Sequence, residues 1–181
     1  MKIIDTEIPD VKLIETAVFE DERGWFFESF NHKRLEEALG LDINFVQDNH
    51  SRSYQGVFRG LHYQLPPFHQ GKLIRVYSGE IYDVVVDIRR SSDTFGALVA
   101  NKLTAENKIQ AWVPPGFAHG FLSLTKTAEV GYKVTNYFEP SHERCIRWDD
   151  PSLGLNFGEK LKFLSEKDKK ASLLKDSDLF D

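Results

Sequence analysis

The stretch from Glu80 to Ile88 constrains the fold most, because its apolar residues recur with a period of two. Drawn as a strand, it puts Tyr82, Val84, Val86 and Ile88 on one face, and Ile81, Asp83, Val85 and Asp87 on the other. Similar runs, rich in β-branched and aromatic residues, cover Val11–Val18, Trp25–Phe30, Asn44–Asp48, Leu73–Tyr77, Ala97–Leu103, Gln110–Val113, Gly120–Leu124, Ala128–Thr135 and Cys145–Trp148. Gly56, Gly79, Gly96 and Gly116 fall between or at the ends of such runs, where turns favour a residue that tolerates unusual backbone angles. Many short strands at this spacing predict an all-β sandwich or barrel.

Only two regions read as helix. Asn31 is placed to cap a segment with Leu35, Ala38 and Leu39 on one side, and Gly40 to stop it. After Pro151, five apolar residues (Leu161, Phe163, Leu164, Leu173 and Leu174) sit among lysines and acids. They predict short helices and turns that pack on the β core, since a free tail has no need of them. No repeat, low-complexity tract or linker divides the chain. Residues 1–181 are therefore expected to form one domain, with a core over roughly 10–150 and a packed tail over 151–181. At 41% hydrophobic, 181 residues can bury a real core.

A formal net charge of -5 argues against a nucleic-acid or anionic-membrane partner, which would need a basic field. An anionic substrate would instead be met by local arginines and lysines. Cys145 is the only cysteine, which excludes an internal disulfide and a multi-cysteine zinc site and fits a reducing, cytoplasmic compartment. The start of the chain runs into acids and Pro9, so neither a signal peptide nor a membrane helix is expected there.

Chemistry concentrates at Arg59-Gly60-Leu61-His62-Tyr63-Gln64, with Lys72 opening the next strand-like run. A histidine takes or gives a proton near neutral pH, and a nearby cation steadies the charge left on a deprotonated carbon. The combination points to proton abstraction beside a carbonyl. No GxGxxG follows a strand, and neither GxxxxGK[ST] nor GxSxG occurs, so a dinucleotide fold, a P-loop and an α/β-hydrolase are unsupported. A β-barrel metal site would be expected to use an HxH pair, but here that place reads His62-Tyr63-Gln64, so no metal and no other cofactor is expected.

Pro114-Pro115-Gly116-Phe117-Ala118-His119-Gly120 resembles the second cupin motif, a P-x-G-x-x-H turn between two barrel strands. Together with Asp21–Phe30, Phe45–Ser51 and Arg59–Gln64, in that order, it makes the chain resemble the dTDP-4-dehydrorhamnose 3,5-epimerase family from near residue 1 to about residue 170. The resemblance implies a mainly β, cupin-type jelly-roll barrel with a short helix in its N-terminal half and a short helical C-terminal tail. It also implies a metal-independent homodimer. The substrate would be dTDP-4-dehydro-6-deoxy-D-glucose, inverted at C3 and C5. Both carbons flank the C4 ketone, so the reaction needs a base, an enolate stabiliser and an acid on the opposite face.

By that resemblance His62 matches the base and Asp168 the carboxylate that orients it, Lys72 the enolate stabiliser and Tyr132 the proton donor. Arg23, Glu28, Gln47, Asp48, Asn49, Arg59, His119, Glu143 and Lys167, with Lys72, match substrate-binding positions, and guanidinium forks suit a diphosphate. Read alone, Asp168 is a helix cap or a solvated charge, and Glu28 and Glu143 are surface acids. His119 could equally brace the barrel through a buried acceptor such as Asp83. Trp25, Tyr137 and Phe138 are candidates to stack on the base or line the sugar pocket. Phe138 stands where the family pattern has a second tyrosine, so a hydroxyl contact is missing there. Relatives that invert one carbon only, a sugar-nucleotide-binding cupin without activity, and a metal cupin oxygenase remain the alternatives.

Overall fold

The computed structural model describes residues 1–181. Its strands are β1 (Lys2–Asp5), β2 (Lys12–Glu15), β3 (Val18–Asp21), β4 (Gly24–Phe27), β5 (Gln47–Tyr54), β6 (Phe58–Gln64), β7 (Lys72–Ser78), β8 (Glu80–Asp87), β9 (Leu98–Thr104), β10 (Gln110–Val113), β11 (Phe117–Ser123), β12 (Thr127–Val134) and β13 (Glu143–Cys145). They form a six-stranded sheet in the order β1-β2-β10-β7-β12-β5, a five-stranded sheet in the order β13-β6-β11-β8-β9, and the separate hairpin β3-β4. Strands far apart in sequence alternate within each sheet, as a mainly β jelly-roll of the cupin kind requires. No helix is long and apolar enough to cross a membrane.

Period-two patterning explains how the sheets stack. From β8, Ile81 and Val85 point into a core shared with Ile74, Val76 and Val130 of the facing sheet. Its other face sends Val84 and Val86 into a second core, closed by Leu153, Phe157 and Leu174 of the tail. The tail thus roofs the outer face of the five-stranded sheet. The inward acids of β8 need partners. Asp87 has them in Arg89, Ser92 and Thr94: burial alone would raise its carboxyl, yet their hydrogen bonds hold it down at about 2.

The helix α1 (His32–Leu39) forms as its caps predict. The Asn31 side chain accepts the Arg34 N–H at 3.1 Å, and Gly40 closes the helix at φ 67°. Leu35 is its buried anchor, packed with Ile14, Leu73 and Trp112. In the tail a single turn, α2 (Glu166–Lys169), lies between two 3₁₀ turns.

Several strand limits differ from the sequence expectation. The run Val11–Val18 is split, with Lys12–Glu15 in the large sheet and Val18 already in the hairpin, while Trp25–Phe30 leaves strand geometry after Phe27. The strand expected at Asn44–Asp48 begins at Gln47 and extends through the polar stretch to Tyr54. The one expected at Cys145–Trp148 is Glu143–Cys145. β11 starts at Phe117, so His119 lies within a strand rather than in a turn. For β5 the polar inward face hides its extent, because a strand lining a polar cavity loses the apolar alternation that betrays one.

Candidate active site

The two sheets separate at one end to leave a cavity of about 590 Å³. Its six-stranded wall carries Gln47, Asn49 and Ser51 of β5, Lys72 of β7 and Tyr132 of β12; the other wall carries Arg59, His62 and Gln64 of β6, and His119 and Phe121 of β11. Glu143 of β13, Phe138, Ser165 and Asp168 complete the rim. Alternation alone selects Gln47, Asn49 and Ser51 from β5 and turns Asp48, His50 and Arg52 outward.

Arg59 and His62 are three residues apart and would face opposite sides of a regular strand. Against β11, His62 pairs with His119 and Arg59 with Phe121, so β6 spends one more residue than its partner over the same span. That bulge is what turns both side chains into the cavity. It depends on Gly60, at φ 145°, lying against Gly120: a Cβ at Gly60 would meet the Gly120 Cα at 2.5 Å.

His62 and Asp168 meet here although 106 positions separate them: His62 Nε2 lies 2.6 Å from Asp168 Oδ1. The tail delivers the carboxylate on α2, where the Ser165 hydroxyl accepts the Asp168 N–H at 3.1 Å. Burial would raise the Asp168 carboxyl, but the hydrogen bond and charge of His62, with Ser165 and Cys145, hold it below the usual carboxylate range. An ionised carboxylate only accepts hydrogen bonds, so Nε2 carries the proton and Nδ1 is left with a free lone pair. That nitrogen is the one able to accept a proton.

Lys72 Nζ donates to the His62 carbonyl at 3.1 Å, and burial pulls its ammonium down to about 8 against the partial support of Asp83 and Glu143. Tyr132 faces His62 from the opposite sheet; burial raises its phenol, which the Arg59 charge partly offsets. His119 is bound to Asp83 at 2.6 Å, as the bracing reading allowed, while it also lines the cavity.

Not every candidate reaches the cavity. Lys167 ion-pairs with the rim residue Glu143. Asp48 pairs with Lys133 on the outer face of β12, at 2.9 Å. Arg23 sits at the tip of the β3-β4 hairpin, paired with Asp21 and with its side chain 85% exposed; Glu28 holds Arg34 and Asn31 at the start of α1. Phe138, Trp25 and Tyr137 are all exposed, and of the three only Phe138 borders the cavity.

Three contributors escape sequence reasoning. Gln64, noted above only as a missing ligand, is a buried brace: its amide donates to the carbonyls of Phe68 and Tyr137 and accepts the Glu139 N–H, tying the loops at the rim. Ser165 is visible as the first residue of an S-x-x-D capping pattern that also explains Asp168. Cys145, paired across the ladder with His62, has no sequence signal at all.

Chemically, the cavity sets an imidazole bonded to a carboxylate on one wall, and a phenol and a buried ammonium on the other. Such a set can take a proton from a carbon beside a carbonyl, hold the enolate, and protonate its far face.

Comparison with known proteins bears on which substrate enters. Residues 5–176 match the family model described as dTDP-4-dehydrorhamnose 3,5-epimerase. Proteins of that name from Shigella flexneri and Pseudomonas aeruginosa are 53% and 52% identical to the chain, over 99% of both chains in each case. Among solved structures, the dTDP-6-deoxy-D-glucose-3,5-epimerase of Legionella pneumophila Philadelphia 1, in complex with dTDP-4-keto-L-rhamnose, superposes with a TM-score of 0.93 at 50% identity. The match covers 98% of this chain and 94% of that one.

Proposed function

The chain belongs to the dTDP-4-dehydrorhamnose 3,5-epimerase family, and on that premise we propose that it inverts C3 and C5 of dTDP-4-dehydro-6-deoxy-D-glucose to give dTDP-4-dehydro-L-rhamnose. The observation that carries the reading is the placement of His62 and Tyr132 on opposite walls of one cavity. His62 Nδ1 removes the proton from C3 or C5, and charge moves to the C4 oxygen. Lys72 steadies that oxygen, and Tyr132 protonates the opposite face of the carbon. Arg59 supplies a fork for the diphosphate, while Gln47, Asn49, His119 and Glu143 contact the sugar. Turnover in D₂O is expected to place deuterium at both C3 and C5 of the product, read by proton NMR. Label confined to one carbon would reduce the activity to a single epimerisation.

Lys72 has to be charged to act, and its ammonium titrates at about 8. Turnover is therefore expected to fall as pH rises through about 8. The same burial costs stability. The ammonium keeps its proton up to 10.5 when unfolded but only to about 8 in the fold, so the penalty is complete below pH 8 and fades between 8 and 10.5. That gap corresponds to on the order of 3 kcal/mol. Lys72→Met is expected to melt at a higher temperature than wild type at pH 7 while losing turnover; a lower melting temperature would contradict the burial penalty.

Arg23 and Glu28 fit a substrate-binding role if the protein is a homodimer, in which the hairpin of one protomer is free to reach its partner's cavity. Support comes from the exposed rings of the hairpin, with Phe19 65% and Phe26 69% exposed. Paired substitution of Phe19→Asp and Phe26→Asp is expected to convert a dimer to a monomer in sedimentation equilibrium. An unchanged mass would exclude the hairpin from the interface. The single Cys145 and a nucleotide-sugar substrate support work in the cytoplasm.

A further inference from the structure

Cys145 plays no part in the chemistry above, yet it stands beside it. β13 pairs with β6 so that Cys145 lies directly across from His62, and α2 lays Asp168 over both. Cys145 Sγ is 3.6 Å from Asp168 Oδ1, His62 Nε2 is 2.6 Å from the same oxygen, and the three ligand atoms all lie within 4.8 Å of one another. One thiol, one imidazole and one carboxylate from three different elements converge, two of them, His62 and Asp168, at the wall of the cavity. Thiolate, imidazole and carboxylate in that number are the donor set of a tetrahedral soft-cation site with one open position.

Two of the three donor distances suit this use, and the third, Cys145 Sγ to His62 Nε2, lies within 4.8 Å and would settle at roughly 3.5 Å. Metal bonds of about 2.0 Å to oxygen and 2.3 Å to sulfur place those two donors roughly 3.5 Å apart in a tetrahedron, close to the 3.6 Å between Cys145 and Asp168. The His62–Asp168 pair would open from 2.6 Å to roughly 3.3 Å. His62, with 30% of its side chain exposed to the cavity, has room for that movement.

We propose that His62, Cys145 and Asp168 form an inhibitory site for a soft divalent cation, Zn²⁺ or Cd²⁺, distinct in purpose from the proton-transfer use of the same dyad. On binding, the S–H bond of Cys145 breaks and its proton goes to solvent, and a metal–sulfur bond forms. The Nε2 proton of His62 gives way to a metal–nitrogen bond and is replaced by a proton on Nδ1. Asp168 exchanges a hydrogen bond for a metal–oxygen bond. No electrons are transferred. The nitrogen that serves as base is thereby occupied by a proton and the ring is fixed, so the cation stops turnover without touching the substrate-binding residues. The inhibition, though not the binding, rests on His62 being the base.

A chain with one cysteine makes the test selective. The chelator-treated protein, in thiol-free buffer, is titrated with Cd²⁺ alone, and thiolate-to-metal charge-transfer absorption is read in the ultraviolet. The band is expected to saturate at one cation per chain. By calorimetry, Cys145→Ser, Cys145→Ala and His62→Ala are each expected to weaken Cd²⁺ binding by at least the ~10- to 100-fold that loss of even an outer partner costs. Epimerisation should fall with Zn²⁺ over the range in which Zn²⁺ binds, recover with chelator, and become correspondingly less sensitive in the Cys145 variants, each compared with its own metal-free rate. Absence of the band at one equivalent, or undiminished binding by His62→Ala, would overturn the metal site and leave the proton-transfer reading intact. Undiminished turnover with the site filled would overturn the inhibition and with it the role of His62 as base.

Discussion

Replacing His62 with alanine is expected to lower kcat by on the order of 10²- to 10⁴-fold, the range a positioned general base contributes. It should also abolish deuterium wash-in from solvent at C3 and C5, because no other group bonded to an orienting carboxylate lies on that wall of the cavity except His119, which is 7% exposed and held by Asp83. KM should change far less, since the diphosphate contacts lie elsewhere. Asp168→Asn tests a different link. It preserves volume but offers an amide that can donate to Nε2, which favours the tautomer with the proton on Nδ1 and so removes the lone pair that does the work. Its loss of kcat should approach that of His62→Ala. The two residues act as one unit, so the double variant should be no slower than His62→Ala alone. A double variant slower by the product of the two single losses would separate the roles and dissolve the dyad. Retention of more than about a tenth of wild-type turnover by His62→Ala would place the base elsewhere.

The same residues mark where the sequence is legible and where it is not. β8 and α1 could be drawn from local signals, since period two and a pair of caps depend only on near neighbours. The hairpin and β5 could not. Gln47, Asn49 and Ser51 alternate as polar cavity-facing residues, and polar alternation looks like loop. At the site, His62 and Lys72 stand out as an acid-base pair in the local pattern, but Tyr132 and Asp168 are reached only through family resemblance, because the geometry that unites the four is non-local. Arg59 and His62 share a face only through a bulge at Gly60, which spacing alone would deny. Asp168 reaches His62 from a tail whose sequence shows only its packing residues and a capping serine. Cys145 reaches the dyad through the pairing of a three-residue strand. Arg23 and Glu28 follow the opposite course: resemblance ties them to substrate, while in the single chain they serve a hairpin tip and a helix start.

Tyr132→Phe is expected to separate proton removal from inversion. The variant keeps the ring that packs against the inner core and loses only the hydroxyl, so the fold and the cavity wall should persist. His62, Asp168 and Lys72 are untouched, and the enolate can still form. With no donor on the far face, its most accessible proton is the one His62 has just taken. That imidazole is open enough to solvent to exchange the proton for deuterium before returning it. In D₂O the variant should therefore label C3 and C5 of the starting sugar with configuration retained, while net epimerisation falls by about 10²- to 10⁴-fold, the contribution of a positioned general acid. Wash-in without inversion is the signature of a one-sided site, and two-dimensional NMR of the recovered sugar nucleotide reads label and configuration together. Tyr132→Phe that inverts at the wild-type rate would transfer the donor role to water or to another side chain. If the variant instead loses wash-in as completely as His62→Ala, Tyr132 belongs to the abstraction step, and the assignment of one face to each sheet fails.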